Sequence, residues 1–217
     1  MDRVVSLGVV APSGGNTNLP QGTLTNVYLD PQQAQVVQQL HGKLAEVNRL
    51  GKLFYGSNGA TPSVTTVALA TTYTGLALYN PAGSGKVLYV ERVGYSFLVA
   101  FPAAATIGLM VGWSAAGIAT ASAAASPGAP CLIGANNGAG VGCCALSATL
   151  VGTPTLHSVF GAGLTGAITT VPQKMTYVDM DGSLILQPGA YAAIYTSTVS
   201  GAASLCGSFL WSEEPLI

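Results

Sequence analysis

The chain has 217 residues, enough for one large β domain with an arm. Asp, Glu, Lys and Arg make up 7% of it, against roughly 25% in an ordinary soluble domain, and mean hydropathy is +0.49. That balance excludes a disordered chain, and seven Lys and Arg with a net charge of −1 exclude a strong nucleic-acid patch.

The charges are also unevenly placed. Residues 93–173 contain no Asp, Glu, Lys or Arg. A water-facing surface of that length normally carries many. Cover by other subunits or a membrane location would each account for it.

Residues 1–29 include "APSGGNTNLPQGTLTN" and read as an extended arm. The opening "MDRVVSLGVV" lacks a clear positive region, so it reads as part of a protein made and used in a cytoplasm. Residues 30–55 read as a helix and linker. Asp30 suits an N-cap and Pro31 the first helical position. Val37, Leu40, Leu44 and Val47 recur at helical spacing, with Glu46 and Arg49 one turn apart and Gly51 as the stop. Gly42 falls inside this helix at a cost of about 1 kcal/mol relative to Ala. The stripe fits a helix lying on its own domain, or a seam that meets copies of itself and anchors an oligomer.

Residues 56–217 read as a β-sandwich domain. "SVTTVALATTYTGLALYN", "KVLYVERVGYSFLVAF", "ATIGLMVGW" and "SLILQPGAYAAIYTSTV" are β-branched and aromatic runs punctuated by Gly, Pro and Asn. Alternation in "KVLYVERV" places Leu88, Val90 and Arg92 on one face. Pro188-Gly189 reads as a turn between strands. Residues 114–147 are dominated by small side chains and read as a long loop that a partner subunit covers. The expected fold is all-β: an antiparallel, jelly-roll-like sandwich with an extended N-terminal arm and one short helix.

"NPAGSGKV" at Asn80–Val87 imitates a phosphate-binding loop. That loop needs Gly where Asn80 stands, Ser or Thr where Val87 stands, and a following helix. Here a strand pattern follows. The segment reads as a hairpin turn made by Pro81, Gly83 and Gly85, with Lys86 keeping its tip wet. His41 and His157 have no acid placed to orient them, and there is no G-x-S-x-G elbow. Asp179 and Asp181, beside Gly182, read as an exposed turn rather than a metal site. Glu213 and Glu214 read as a solvated end. Cys131, Cys143, Cys144 and Cys206 lack zinc-finger spacing and read as small buried hydrophobes. Trp113 and Trp211 are assigned to core or interface. Residues 96–117 are long enough to span a membrane, but Pro102 and the strand formers around it argue against a helix. The expectation is therefore no enzyme, no cofactor, no metal, no nucleic acid and no membrane.

"LHGKLAEVNRLGKLFYGSN", "TVALATTYTGLALYNPAGSGKVLYVERVGYSF", "DGSLILQPGAYAAIYT" and "GSFLWSEEP" together resemble a family of small virion structural proteins of tailed bacteriophages. Ala190 stands where that family's pattern has a second glycine, and Ser212 is inserted in its closing motif. The resemblance covers roughly residues 40–217 and implies membership of the particle. With the charge deficit it sets the functional expectation. The chain is a capsid decoration or cement protein in the virion, a homo-oligomer and expected trimer that contacts the major capsid protein. A neck, tail or fibre component is the alternative within the particle. A receptor- or glycan-binding module is the alternative of another class.

Overall fold

The computed structural model describes residues 42–58, 62–65, 69–114, 120–121, 126–134, 138–163, 165–166, 176–200 and 202–216. The chain divides at Lys43/Leu44 into two units, and the second holds the architecture described here. Val37 and Leu40 lie outside the described residues, as do the arm and the expected helix start at Asp30.

One short helix, α1 (Ala45–Arg49), precedes the strands. These are β1 (Leu53–Ser57), β2 (Thr72–Tyr73), β3 (Ala77–Tyr79), β4 (Lys86–Phe97) and β5 (Ala105–Trp113). Then come β6 (Thr120–Ala121), β7 (Ser126–Pro127), β8 (Ala129–Pro130), β9 (Cys143–Ala145) and β10 (Ala148–Thr149). The last are β11 (Thr155–Gly163), β12 (Thr176–Asp179), β13 (Ile185–Leu186), β14 (Ala190–Thr196) and β15 (Leu205–Pro215).

The ladders are antiparallel. Sheet one has the order β12-β4-β15-β1-β8, with β13 also on β4, and sheet two the order β11-β5-β14-β3-β9-β7. The chain crosses between the sheets from β3 to β4, from β4 to β5, from β11 to β12, from β13 to β14 and from β14 to β15. This path leaves β1-β15-β4-β12 facing β3-β14-β5-β11, which is jelly-roll order. Phe54, Leu88, Val90, Val93, Phe97, Phe209 and Trp211 from sheet one meet Leu78, Ile107, Leu109 and Ile194 from sheet two in one apolar core.

A third layer covers part of the outer side of sheet two. β2, β10 and β6 form a small sheet, and Tyr73, Ala148 and Leu150 close over Met110, Ala77, Ala145, Tyr191 and Ala193. β14 is consequently buried on both sides, which explains its run of alanines between two packed layers.

Several sequence expectations change. Gly42 is exposed and non-helical, and the described helix starts only at Ala45. A residue without a Cβ gives a helix little reason to run through it. Leu44 and Val47 are half-buried. The stop is as expected: Gly51 has φ +69° and donates its N–H to the Asn48 carbonyl. β1 begins at Leu53, inside the expected linker, because Leu53 and Phe54 are core residues paired to β15. Arg92 does not share the face of Leu88 and Val90. Opposite Leu210 and Trp211, β4 carries one extra residue, Glu91, and this bulge shifts the alternation. Beyond it Val93, Tyr95 and Phe97 point inward and Arg92 outward.

The small-residue segment after β5 is not simply a loop. It supplies β7 and β9 to sheet two and β8 to sheet one. Its glycines do permit close approach, but to the protein's own core. A Cβ on Gly128 would overlap Trp211 Cζ2, and one on Gly142 would lie 2.7 Å from Trp211 Nε1. Trp211 is fully buried and cannot swing away. Gly128→Ala is therefore expected to lower stability by about 1–3 kcal/mol in denaturant unfolding. Gly138→Ala, where nothing lies within 4 Å, should be near neutral. Equal effects at the two positions would contradict this packing.

Candidate functional site

The sequence singled out Asn80–Lys86, and the structure makes it a junction rather than a hairpin. β3 belongs to sheet two and β4 to sheet one, so the turn carries the chain across the sandwich. Ser84 N donates to Pro81 O, and Gly83 at φ +76° takes the position that a type II turn reserves for positive φ. Gly85 is also left-handed, at φ +68°. Pro188-Gly189 likewise turns between sheets, from β13 to β14.

One buried amide ties the two crossings together. Asn80 Nδ2 donates to Lys86 O at 2.8 Å and to Leu186 O at 3.0 Å. Its Oδ1 accepts the Ser84 hydroxyl at 2.6 Å. Its backbone N–H donates to Ala190 O, and its carbonyl accepts from Gly189 N. Where a nucleotide motif has its first glycine, this chain has the residue that uses every polar atom to hold the sandwich closed.

Lys86 and Glu213 complete the junction. Lys86 is half-buried, and its Nζ lies 3.0 Å from Glu213 Oε2. Glu213 Oε1 accepts from Gly142 N at 2.9 Å and from Trp211 Nε1 at 3.2 Å. The expected wet tip and solvated tail are thus corrected. Glu213 is buried because β15 alternates Leu205, Gly207, Phe209, Trp211 and Glu213 inward, and a buried carboxylate requires such donors. Its neighbour Glu214 faces the other way and pairs with Lys52 at 2.8 Å. Both carboxylates are committed to structure.

Arg92 and Asp179 are paired in the same way. Arg92 Nε meets Asp179 Oδ1 at 2.6 Å and its guanidinium lies over the Tyr177 ring. Asp181 sits in a turn at φ +45°, followed by Gly182 at φ +78°. Ser212 donates to Glu91. His157 is exposed on β11, its Nδ1 3.2 Å from the Ser158 hydroxyl. His41 lies outside the described residues. Among the described residues no three His, Cys, Asp or Glu side chains gather as a metal site, and no helix is long and apolar enough to cross a membrane.

All four cysteines are free thiols. Cys144 is buried, while Cys131, Cys143 and Cys206 are half-buried. Burial first, then the neighbouring Cys143 sulfur, pushes the Cys144 thiol up to about 12. Burial also raises Tyr79 to about 12, reinforced by Cys143.

What distinguishes the molecule's surface is the sorting of charge between its faces. The described charged residues of the sandwich unit lie on β4, β12 and β15, on the turn after β12, and on residues 46–52 leading into β1. The strands of sheet two and of the small covering sheet contain no Asp, Glu, Lys or Arg. Yet sheet two exposes large apolar side chains: Trp113 is 63% exposed, Val159 57% and Leu156 43%. Trp113 donates its ring N–H to Pro188 O and leaves its body in solvent, whereas Trp211 is core. Periodicity could have flagged Leu156 and Val159 as strand residues. Their common exposure depends on the sheet's layering, which the sequence does not display.

No protein-family model, curated protein or solved structure matches this chain significantly.

Two measurements check the junction. Asn80→Asp removes both side-chain donors and should lower stability by about 2–4 kcal/mol, whereas Ser84→Ala should cost about 1 kcal/mol. Equal losses would show that the amide is not the hub. In alkylation of the folded protein at about pH 8, Cys144 should stay unmodified until the chain is denatured, because its raised pKa and burial keep it a thiol. Rapid labelling of Cys144 would contradict its burial.

Proposed function

We propose that this chain is a structural protein of a bacteriophage particle, a decoration or cement protein that binds the head shell as an oligomer. The observation that carries the reading is the charge-free sheet two with its exposed Trp113, Leu156 and Val159. Interfaces between permanent partners are depleted in charge and richer in apolar area than free surface. A face of this kind is suited to cover by other proteins.

Two further points support it. Jelly rolls serve viral capsids repeatedly, and the sequence resembles small virion proteins of tailed phages along the same strands. Lys52 with Glu214, Lys86 with Glu213 and Arg92 with Asp179 are held in ion pairs, which suits a scaffold better than a reaction centre. The charged side, carrying Lys52, Glu214, Arg92 and Asp179, is suited to face water.

Quantitative mass spectrometry of purified particles tests the proposal. A copy number comparable to that of the main shell protein is the expected result. A count far below it would move the chain to the neck, tail or fibres. Absence from the particle would overturn the reading.

A further inference from the structure

An edge strand presents unpaired backbone groups, and folded proteins blunt such edges with brevity, proline or charge. Among the described residues, three edges of the two large sheets carry these devices. β8 has two residues and ends at Pro130; β7 has two and ends at Pro127. β12 carries Asp179, paired with Arg92. The fourth edge, β11, has nine residues with neither proline nor Asp, Glu, Lys or Arg.

β11 does carry two register shifts, and bulges also blunt edges. Here each has a visible consequence. The shift at His157 leaves Leu156 opposite Met110 and Val159 opposite Gly108, so both side chains stand on the outer side of sheet two. The shift at Phe160 accompanies the turn of that ring onto Tyr95, with centroids 5.8 Å apart. The result is an apolar pair, Leu156 and Val159, three residues apart on one exposed face of one edge.

We propose that Thr155–Phe160 is the seam of a twofold homodimer, pairing antiparallel with the same segment of a second copy. A twofold axis between His157 and Ser158 sets Leu156 of each copy against Val159 of the other. It sets His157 against Ser158. The segment carries no Asp, Glu, Lys or Arg, so identical strands meet without the repulsion of like charges placed opposite each other. The two charge-free sheets then become one continuous sheet, and the axis closes the assembly at two copies. A nucleic acid or an anionic lipid surface would require cations, which the strands of sheet two lack. The seam replaces the expected trimer with a twofold pair. It rests on the edge geometry and stands whether or not the chain belongs to a particle.

Sedimentation equilibrium of the full chain, across a concentration series, tests it. The unmodified protein should show the mass of a dimer. Val159→Lys should raise the dissociation constant by about tenfold or more, and at concentrations where both proteins are monomeric its unfolding midpoint should match that of the unmodified chain, because the side chain is exposed there. Leu50→Lys, at the end of α1, should leave the dimer intact. Leu156→Glu combined with Val159→Lys should restore it, since the axis sets each Glu against the partner's Lys. A monomer at every concentration would overturn the proposal, as would a Val159→Lys protein as dimeric as the unmodified one. Failure of the double variant to restore the dimer would overturn the register.

Discussion

A sandwich whose chain passes repeatedly from one sheet to the other must bury polar backbone at each crossing. Here two crossings, Asn80–Lys86 and Gln187–Ala190, lie side by side and share the amide of Asn80. Unpaired carbonyls at such a place would cost a few kcal/mol each. Asn suits the position because its side chain offers two donors and an acceptor at once. β3, β4, β13 and β14 all depend on that junction for their relative placement. It also explains why the segment imitates a nucleotide loop. Glycines that cradle phosphates and glycines that let a chain reverse sharply meet the same requirement, positive φ without a Cβ clash.

Glu213 extends the same logic to the segment inserted between β5 and β11. Its carboxylate is held by Lys86 from β4, by the Trp211 ring and by the Gly142 backbone from the insertion. The insertion could have been a free excursion. Instead Gly128 and Gly142 press it against Trp211, and short strands from it lengthen both sheets. A buried charge is a costly way to fasten a loop unless each oxygen is satisfied. Here both are engaged, so the carboxylate acts as a fixed anchor.

With the interior held by so few polar groups, the surface becomes the informative part. Among the described residues of the sandwich unit, charge is confined to sheet one, the turn after β12 and the residues leading into β1, while sheet two offers water alanine, glycine, serine, threonine, His157 and a few large apolar side chains. The third layer of β2, β10 and β6 covers part of the outer side of sheet two, over Met110 and Tyr191. The β11 side, with Leu156 and Val159, keeps large apolar exposure. This asymmetry joins the physical description to the functional reading. A protein meant to sit among neighbours can omit charge on the sides they cover, at the expense of solubility when alone.

The sandwich class was legible from the sequence, because β-branched runs broken by Gly, Pro and Asn are a local property. The turns at Gly83, Gly85 and Gly189 and the helix stop at Gly51 were legible for the same reason: each is fixed by a few neighbouring residues. What the tertiary structure decided was which strands lie beside which. Local pattern cannot tell a hairpin from a crossing between sheets, since both need the same turn chemistry. Alternation likewise could not place Arg92, because the bulge at Glu91 exists only opposite β15. Glu213 looked like a solvated tail because two of its donors, Lys86 and Gly142, come from residues far away in the chain. The charge gap at residues 93–173 was visible at once, but its meaning was not. Only the packing of distant strands into one sheet turns a gap in sequence into a face of the molecule.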